Sequence, residues 1–361
     1  MEELVRTPLK HVFNKRRVLV TGDTGFKGSW LCLWLSQLGA QVTGFALPPE
    51  HEDDHFNLLR LDRTIRHISG DIRDLAALNQ ALQESEPEIL FHLAAQPLVR
   101  RSYDLPKLTF DTNIGGSVNI LESVRSTPSL KAMIYVTSDK CYRNKEWLWG
   151  YREMDELGGR DPYSASKAAA ELVFAAYQDS FFSRRENFGA ASVRAGNVIG
   201  GGDWSVDRIV PDCIRSLRSG QPIVLRNPGA TRPWQHVLDP LYGYLTTAAA
   251  LLREPSAFSG SWNFGPDDRA IRTVNDLAHT IVGFWGSGNI QAVEQKQAPH
   301  EATLLQLNCD KAHQRLHWHP QWDFNRAVKE TVRWYWEISA GTPAQTISVK
   351  QITEYMEAIH D

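Results

Sequence analysis

The sequence predicts an α/β protein with a doubly wound parallel sheet, followed by a smaller mixed α/β domain. Three observations carry this. Short apolar runs alternate with helix-length stretches through the first 195 residues. A glycine-rich loop joins the first apolar run to the first helical stretch. Past residue 195 the alternation breaks, and Pro and Gly recur between 211 and 233. Strands alternating with helices of this length imply right-handed βαβ units.

The elements follow in order. Residues 17–21 (RVLVT) read as a buried strand, 26–38 as a helix and 41–46 as the next strand. Residues 65–69 and 89–93 (ILFHL) are strands flanking a helix at 74–84. A mostly helical stretch at 104–126 leads to the strand 132–137 (AMIYVT). A long helix at 162–184 and a strand at 190–194 close the series. Later helices are expected at 208–218, 240–252, 273–284 and 324–339, the last one amphipathic. The division that follows is a nucleotide-binding domain at 12–195 and a mainly substrate-binding domain at 196–361, with room for later strands to rejoin the sheet.

Composition narrows the function. At 42% hydrophobic and 22% charged residues the chain reads as an ordinary globular protein. A net charge of -3 and the absence of a Lys/Arg run give no reason to expect nucleic acid. No run of about 18 apolar residues suggests a membrane span. Cys32, Cys141, Cys213 and Cys309 stand far apart with no CxxC pair, which favours a reducing compartment. The segment MEELVRTPLKHVFNKRR lacks the apolar core of a signal peptide, so the cytoplasm is the expected address.

The first glycine loop is Thr21-Gly22-Asp23-Thr24-Gly25-Phe26-Lys27-Gly28, between the first strand and the first helix. Glycines spaced G-x-x-G-x-x-G let the backbone turn tightly and let a pyrophosphate reach the helix N-terminus. That is the Rossmann arrangement for a dinucleotide. The second strand ends Ala46-Leu47-Pro48-Pro49-Glu50, with no acid at its tip and no Arg there to grip a 2′-phosphate. These residues leave NAD and NADP open. Asp71, after the third strand, could hold the adenine amino group or cap a helix.

Tyr163 and Lys167 form Tyr-x-x-x-Lys at the start of a helix, on one face. An ammonium beside the phenol is expected to lower its pKa for proton exchange near neutrality. Ser138 ends the preceding strand, where a doubly wound sheet presents its ligand crevice, and is placed to hydrogen-bond the reacting oxygen.

These motifs, with His92-Leu93-Ala94-Ala95-Gln96 and Asn113, resemble the extended short-chain dehydrogenases that act on nucleotide sugars. The segments 194–200 and 232–239 extend the likeness over about residues 15–340. Asp139-Lys140, the 96–103 stretch and Gly200-Gly201-Gly202-Asp203-Trp204 resemble the CDP-glucose 4,6-dehydratase branch; the dTDP-glucose type carries Asp-Glu at the first of these places. The resemblance implies NAD as a tightly held cofactor, a CDP-sugar substrate and a route toward dideoxyhexoses of surface polysaccharide. It implies cofactor contacts from Gly22, Thr24, Gly25, Phe26, Lys27, Gly28, Asp71, Ile72, Leu93, Ala94, Ala95, Gln96, Asn113, Tyr163 and Lys167. Tyr163 would take the O4 proton, Asp139 would protonate the departing C6 hydroxyl, and Lys140 stands at the position of the C5 base. The bland alternative for Asp139-Lys140 is a solvated loop pair. Asn197, Arg208, Arg232 and His300 stand where the family holds the nucleotide diphosphate, and each could instead be surface charge. His313, His317 and His319 lack the spacing of a metal site and read as a solvent-facing run. The family implies a homo-oligomer, a dimer or dimer of dimers, through the helices near 104–126 and 162–184. The rivals are a dTDP-, GDP- or UDP-sugar 4,6-dehydratase, a nucleotide-sugar 4-epimerase, and a redox-sensing protein that has lost catalysis.

Overall fold

A computed structural model describes residues 8–267, 271–292 and 304–360. Its centre is a seven-stranded sheet, every pairing parallel. The strands are β1 (Arg17–Thr21), β2 (Gln41–Ala46), β3 (Arg66–Ser69), β4 (Ile89–His92), β5 (Ala132–Val136), β6 (Gly189–Arg194) and β7 (Gly260–Asn263). Their spatial order is β7-β6-β5-β4-β1-β2-β3. The direction of winding reverses between β1 and β4, so a ligand crevice opens at the carboxyl ends of those strands.

Both faces of the sheet are covered, which is why its central strands β4 (ILFH) and β5 (AMIYV) are buried at every residue. Side chains alternate between two cores with the period of a strand. Val18 and Val20 of β1, with Ala132 and Ile134 of β5, enter one core. Leu19, Met133 and Tyr135 enter the other. Helices α1 (Phe26–Gln37) and α6 (Leu238–Arg253) supply Trp30, Trp34, Leu241 and Leu245 to the first. Helices α2 (Leu75–Ser85), α3 (Gly116–Arg125) and α4 (Pro162–Ser180) supply Leu78, Leu121 and Phe174 to the second. α1 is buried from Gly28 to Leu35 without a break, as a helix apolar on all sides should be.

The second half is threaded through the first. β7 pairs with β6, Gly260 opposite Ala191 through Asn263 opposite Arg194. Beyond β6, Val198–Ile199 pairs with Gln235–His236, and Thr231–Pro233 pairs with Ile271–Thr273. Helices α5 (Ile209–Arg218), α7 (Val274–Trp285) and α8 (Phe324–Ser339) complete this half. α7 starts on a capping box, Thr273 with Asp276.

The 104–126 stretch is mostly helical, as expected, with a break before Pro106 and a wide π turn at Asp111–Gly115 ahead of α3. Two elements differ from expectation. The long helix α4 stops at Ser180, and Phe182–Arg184 is a separate 3-10 turn. A further helix, α9 (Ala344–His360), follows α8 and packs Tyr355 against Trp34 of α1 at 5.6 Å. Among the described residues no helix is long and apolar enough to cross a membrane.

Candidate active site

A cleft of ≈ 1670 Å³ runs along the carboxyl ends of the strands. A pocket for one small ligand holds roughly 300–1,000 Å³, so this one has room for two ligands laid end to end. The glycine loop lines one end. Gly22 has φ +78, and a Cβ there would meet the Ala94 amide at 2.7 Å. A Cβ on Gly28 would meet the Gly22 carbonyl at 2.0 Å. Gly25 caps α1 with no side chain, and nothing nearer than the Gly22 carbonyl at 3.4 Å crowds it. No acid stands in the first turn of α1, so its free N–H groups face the cleft unopposed. This cradle fits a dinucleotide pyrophosphate. Thr24 spends its hydroxyl on the Leu47 carbonyl at 2.9 Å. Lys27 is pushed down to about 8 by burial; its charged neighbours are Arg208, Asp139, Lys167 and Asp203, all at the catalytic end.

Asp71 and Ile72 also line the cleft. Asp71 is not a helix cap: Asp74 caps α2, accepting from the Ala76 and Ala77 amides. Asp71 is gripped by Arg73, Nε at 2.9 Å and Nη2 at 2.5 Å, and that hydrogen bonding holds its carboxyl below the usual range. Arg73 is thus a cation at the nucleotide end that the strand-tip reading overlooked, already committed to a carboxylate. Leu93, Ala94, Ala95 and Gln96 line the cleft from the end of β4. Asn113 does not, among the residues described. Its Oδ1 accepts from the Gln96 amide at 2.8 Å, and its Nδ2 donates to the Gln96 carbonyl and to Ser166 Oγ at 2.9 Å. The π turn aims this side chain inward, where it clamps the Gln96 backbone to α4 and has no donor left for a cofactor.

The catalytic end is built by β5 and α4. Asp161 caps α4 by accepting from the Ser164 amide at 2.9 Å, and Pro162 occupies the first turn, where a missing N–H costs nothing. Tyr163 and Lys167 follow on one face and line the cleft with Ser138, Asp139 and Lys140. Ser138 Oγ donates to Asp139 Oδ1 at 2.8 Å and accepts from the Lys140 amide at 3.2 Å. Asp139 is buried against the Gly196 backbone, where any Cβ would strike its carboxylate at 2.0 Å. It is therefore not a solvated loop charge.

Burial pushes the Tyr163 phenol up to about 12; the Ser138 hydroxyl lowers it, Asp139 raises it and Arg208 lowers it. Burial pushes Lys167 down to about 8, against the pull of Glu171. The phenol is thus raised by its burial, where the Tyr-x-x-x-Lys spacing alone led one to expect it lowered.

Asn197, Arg208 and Arg232 line the other wall. Arg208 pairs with Asp203 at 2.9 Å, an anchor hidden in the Gly200-Gly201-Gly202-Asp203 loop and passed over in the sequence. Asn197 has φ +52, and its carbonyl accepts from the Gln235 amide. His300 lies outside the described residues. Of the histidine run, His313 is half-buried and stacks on His319 at 4.4 Å, so it is not wholly solvent-facing.

The family model for GDP-mannose 4,6 dehydratase matches residues 19–331. The CDP-glucose 4,6-dehydratase of Salmonella typhimurium is 46% identical over 353 residues, 97% of this chain and 98% of that one. The chain belongs to this nucleotide-sugar 4,6-dehydratase family. Among solved structures, the dTDP-glucose 4,6-dehydratase of Bacillus anthracis, in complex with NAD, is 22% identical with a TM-score of 0.75, over 90% of this chain and 97% of that one. The dTDP-glucose 4,6-dehydratase DesIV of Streptomyces venezuelae, solved with NAD bound, is 24% identical with a TM-score of 0.76, over 91% and 99%. These two establish the likeness of fold.

Proposed function

We propose that the chain converts CDP-D-glucose to CDP-4-keto-6-deoxy-D-glucose and water, as an NAD-dependent lyase. The near end-to-end identity of 46% with the Salmonella enzyme carries this reading. Asp139-Lys140 supports it against a 4-epimerase, which has no C6 hydroxyl to expel, and against the dTDP-glucose type.

The glycine loop, with Asp71, Ile72 and residues 93–96, would hold NAD along one limb of the cleft. When bound, NAD would supply a hydride acceptor for C4 and the hydride donor for C6. Tyr163 takes the O4 proton, Ser138 hydrogen-bonds that oxygen, and Lys167 holds the phenolate. Asp139 delivers its proton to the C6 hydroxyl, which leaves as water. Lys140 takes the C5 proton and gives it back. Arg208, braced by Asp203, joins Asn197 and Arg232 in holding the diphosphate. Residues 12–195 serve the cofactor and 196–361 chiefly the nucleotide sugar. The same reading includes a cytoplasmic homo-oligomer whose product feeds dideoxyhexose formation. Val118, Leu172 and Phe181, exposed on or beside α3 and α4, support the contact between copies.

Incubation with CDP-, dTDP-, UDP- and GDP-hexoses tests the reading. A 4-keto-6-deoxy product from CDP-glucose, with no net gain of reduced cofactor, is expected. Preference for another nucleotide, or stoichiometric release of reduced cofactor, would sink it.

A further inference from the structure

Beneath the cleft floor lies a buried charge pair that this reaction scheme does not use. Glu171 stands on α4 one turn past Lys167 and is 2% exposed. Its Oε1 accepts from Thr137 Oγ1 and from Arg194 Nε at 2.9 Å. Its Oε2 accepts from Arg194 Nη2 at 2.7 Å and from Ser192 Oγ at 2.9 Å. Arg194 spends its remaining donors on Tyr142 Oη at 2.6 Å, the Glu153 carbonyl at 3.0 Å and Ser261 Oγ at 3.0 Å. Tyr142 in turn donates to Asn263 Oδ1 at 2.8 Å.

One network thus ties the exit of β5 to α4, β6 and β7. Two of those pieces carry the reacting groups. Ser138 and Asp139 follow Thr137 directly, and Tyr163 and Lys167 precede Glu171 on one helix. Taking two charges out of water costs several kcal/mol per ion, and an apolar pair of similar volume would hold helix to strand at least as well. What an apolar pair cannot supply is a negative charge at i+4 from Lys167, where side chains are neighbours.

We propose that Glu171 is a positioning residue of the active site: locked by Arg194, it sets the Ser138–Asp139 turn against the Tyr163–Lys167 face and keeps Lys167 protonated. The inference rests on the dehydratase reading. Lys167 is pushed down to about 8 by burial, and Glu171, then Cys141, hold it up. The other titratable groups that feel Lys167 are Lys27 and His92, each lowered chiefly by its own burial and further by Lys167. With the Glu171 charge gone, Lys167 loses its proton at lower pH. The alkaline limb of kcat should then move to lower pH.

The test is kcat and KM against pH with CDP-glucose, in wild type and three variants. Glu171→Gln strands a buried guanidinium, so Glu171→Gln with Arg194→Met removes both charges together. Glu171→Asp keeps the charge but withdraws it by one methylene. The double variant should keep KM within about three-fold, with its alkaline limb about one pH unit lower. Glu171→Asp should move the limb the same way by less. A limb that stays at the wild-type pH in the variants that fold would reduce the network to a structural brace. A wild type that makes no 4-keto-6-deoxy product would remove the dehydratase reading and this inference with it; an active wild type with unmoved limbs removes the inference alone.

Discussion

Burial acts on Tyr163 and Lys167 in opposite senses, taking the phenol up to about 12 and the ammonium down to about 8. The Ser138 hydroxyl and the Arg208 charge work against that rise in the phenol, and the Asp139 charge adds to it. Tyr163→Phe should keep bound NAD and substrate KM near wild type while kcat falls by on the order of 10²-fold, the scale of a lost general base. Initial rates and cofactor content check this. Asp139 is a separate case, because only elimination needs its proton. In Asp139→Asn, single-turnover absorbance should show C4 oxidation intact and elimination slowed by about 10²-fold. Equal loss of both steps would assign the carboxylate to holding the sugar.

At the scale of elements, α4 is the part whose start matters most. Asp161 accepts from the Ser164 amide at 2.9 Å and from Ser164 Oγ at 2.6 Å, which closes the first turn directly around Tyr163. The Tyr163 amide is itself held by Ser102 Oγ at 3.2 Å. Asp161→Ala should cost about 1 kcal/mol, the usual worth of an N-cap. It should lower the urea midpoint at constant m and reduce kcat more than KM. The π turn at Asp111–Gly115 acts on the same helix from the other side. By turning Asn113 inward it fixes Gln96, at the end of β4, to Ser166 on α4. Two ends of the cleft are thereby held to one helix.

At the scale of the whole molecule, the second half is structural as well as substrate-facing. β7 covers the outer edge of β6, and Leu241, Leu245 and Trp262 share a core with Val18, Val20 and Trp30. A fragment of residues 1–195 would expose that core face and leave β6 as an open edge. It should lack the near-ultraviolet dichroism and the cooperative urea transition of the full chain. A cooperative transition in the fragment would show that the cofactor half folds alone. α9 packs into the same core: Tyr355 donates to Asp239 Oδ1 at 2.7 Å and packs on Trp34 and Trp322.

What the sequence by itself determined was set by short-range rules. The period of apolar runs marks β1 to β6, the glycine spacing marks the loop, and i,i+4 geometry puts Tyr163 and Lys167 on one face whatever surrounds them. The six strands of the first half and the sites of the loop and the pair needed nothing more. What only the tertiary structure decided depends on residues far apart in the chain. β7 is a four-residue run with no periodicity of its own, and its place comes from the edge of β6. Asn113 reads as a cofactor ligand in the sequence, but partners 17 and 53 residues away take both its side-chain N–H donors. Asp203 and Arg194 were in view as parts of motifs, but their roles follow from contacts with Arg208 and Glu171. The raised pKa of the Tyr163 phenol escapes the sequence for the same reason. Spacing gives the distance between two charges, whereas their desolvation is set by everything the fold packs around them.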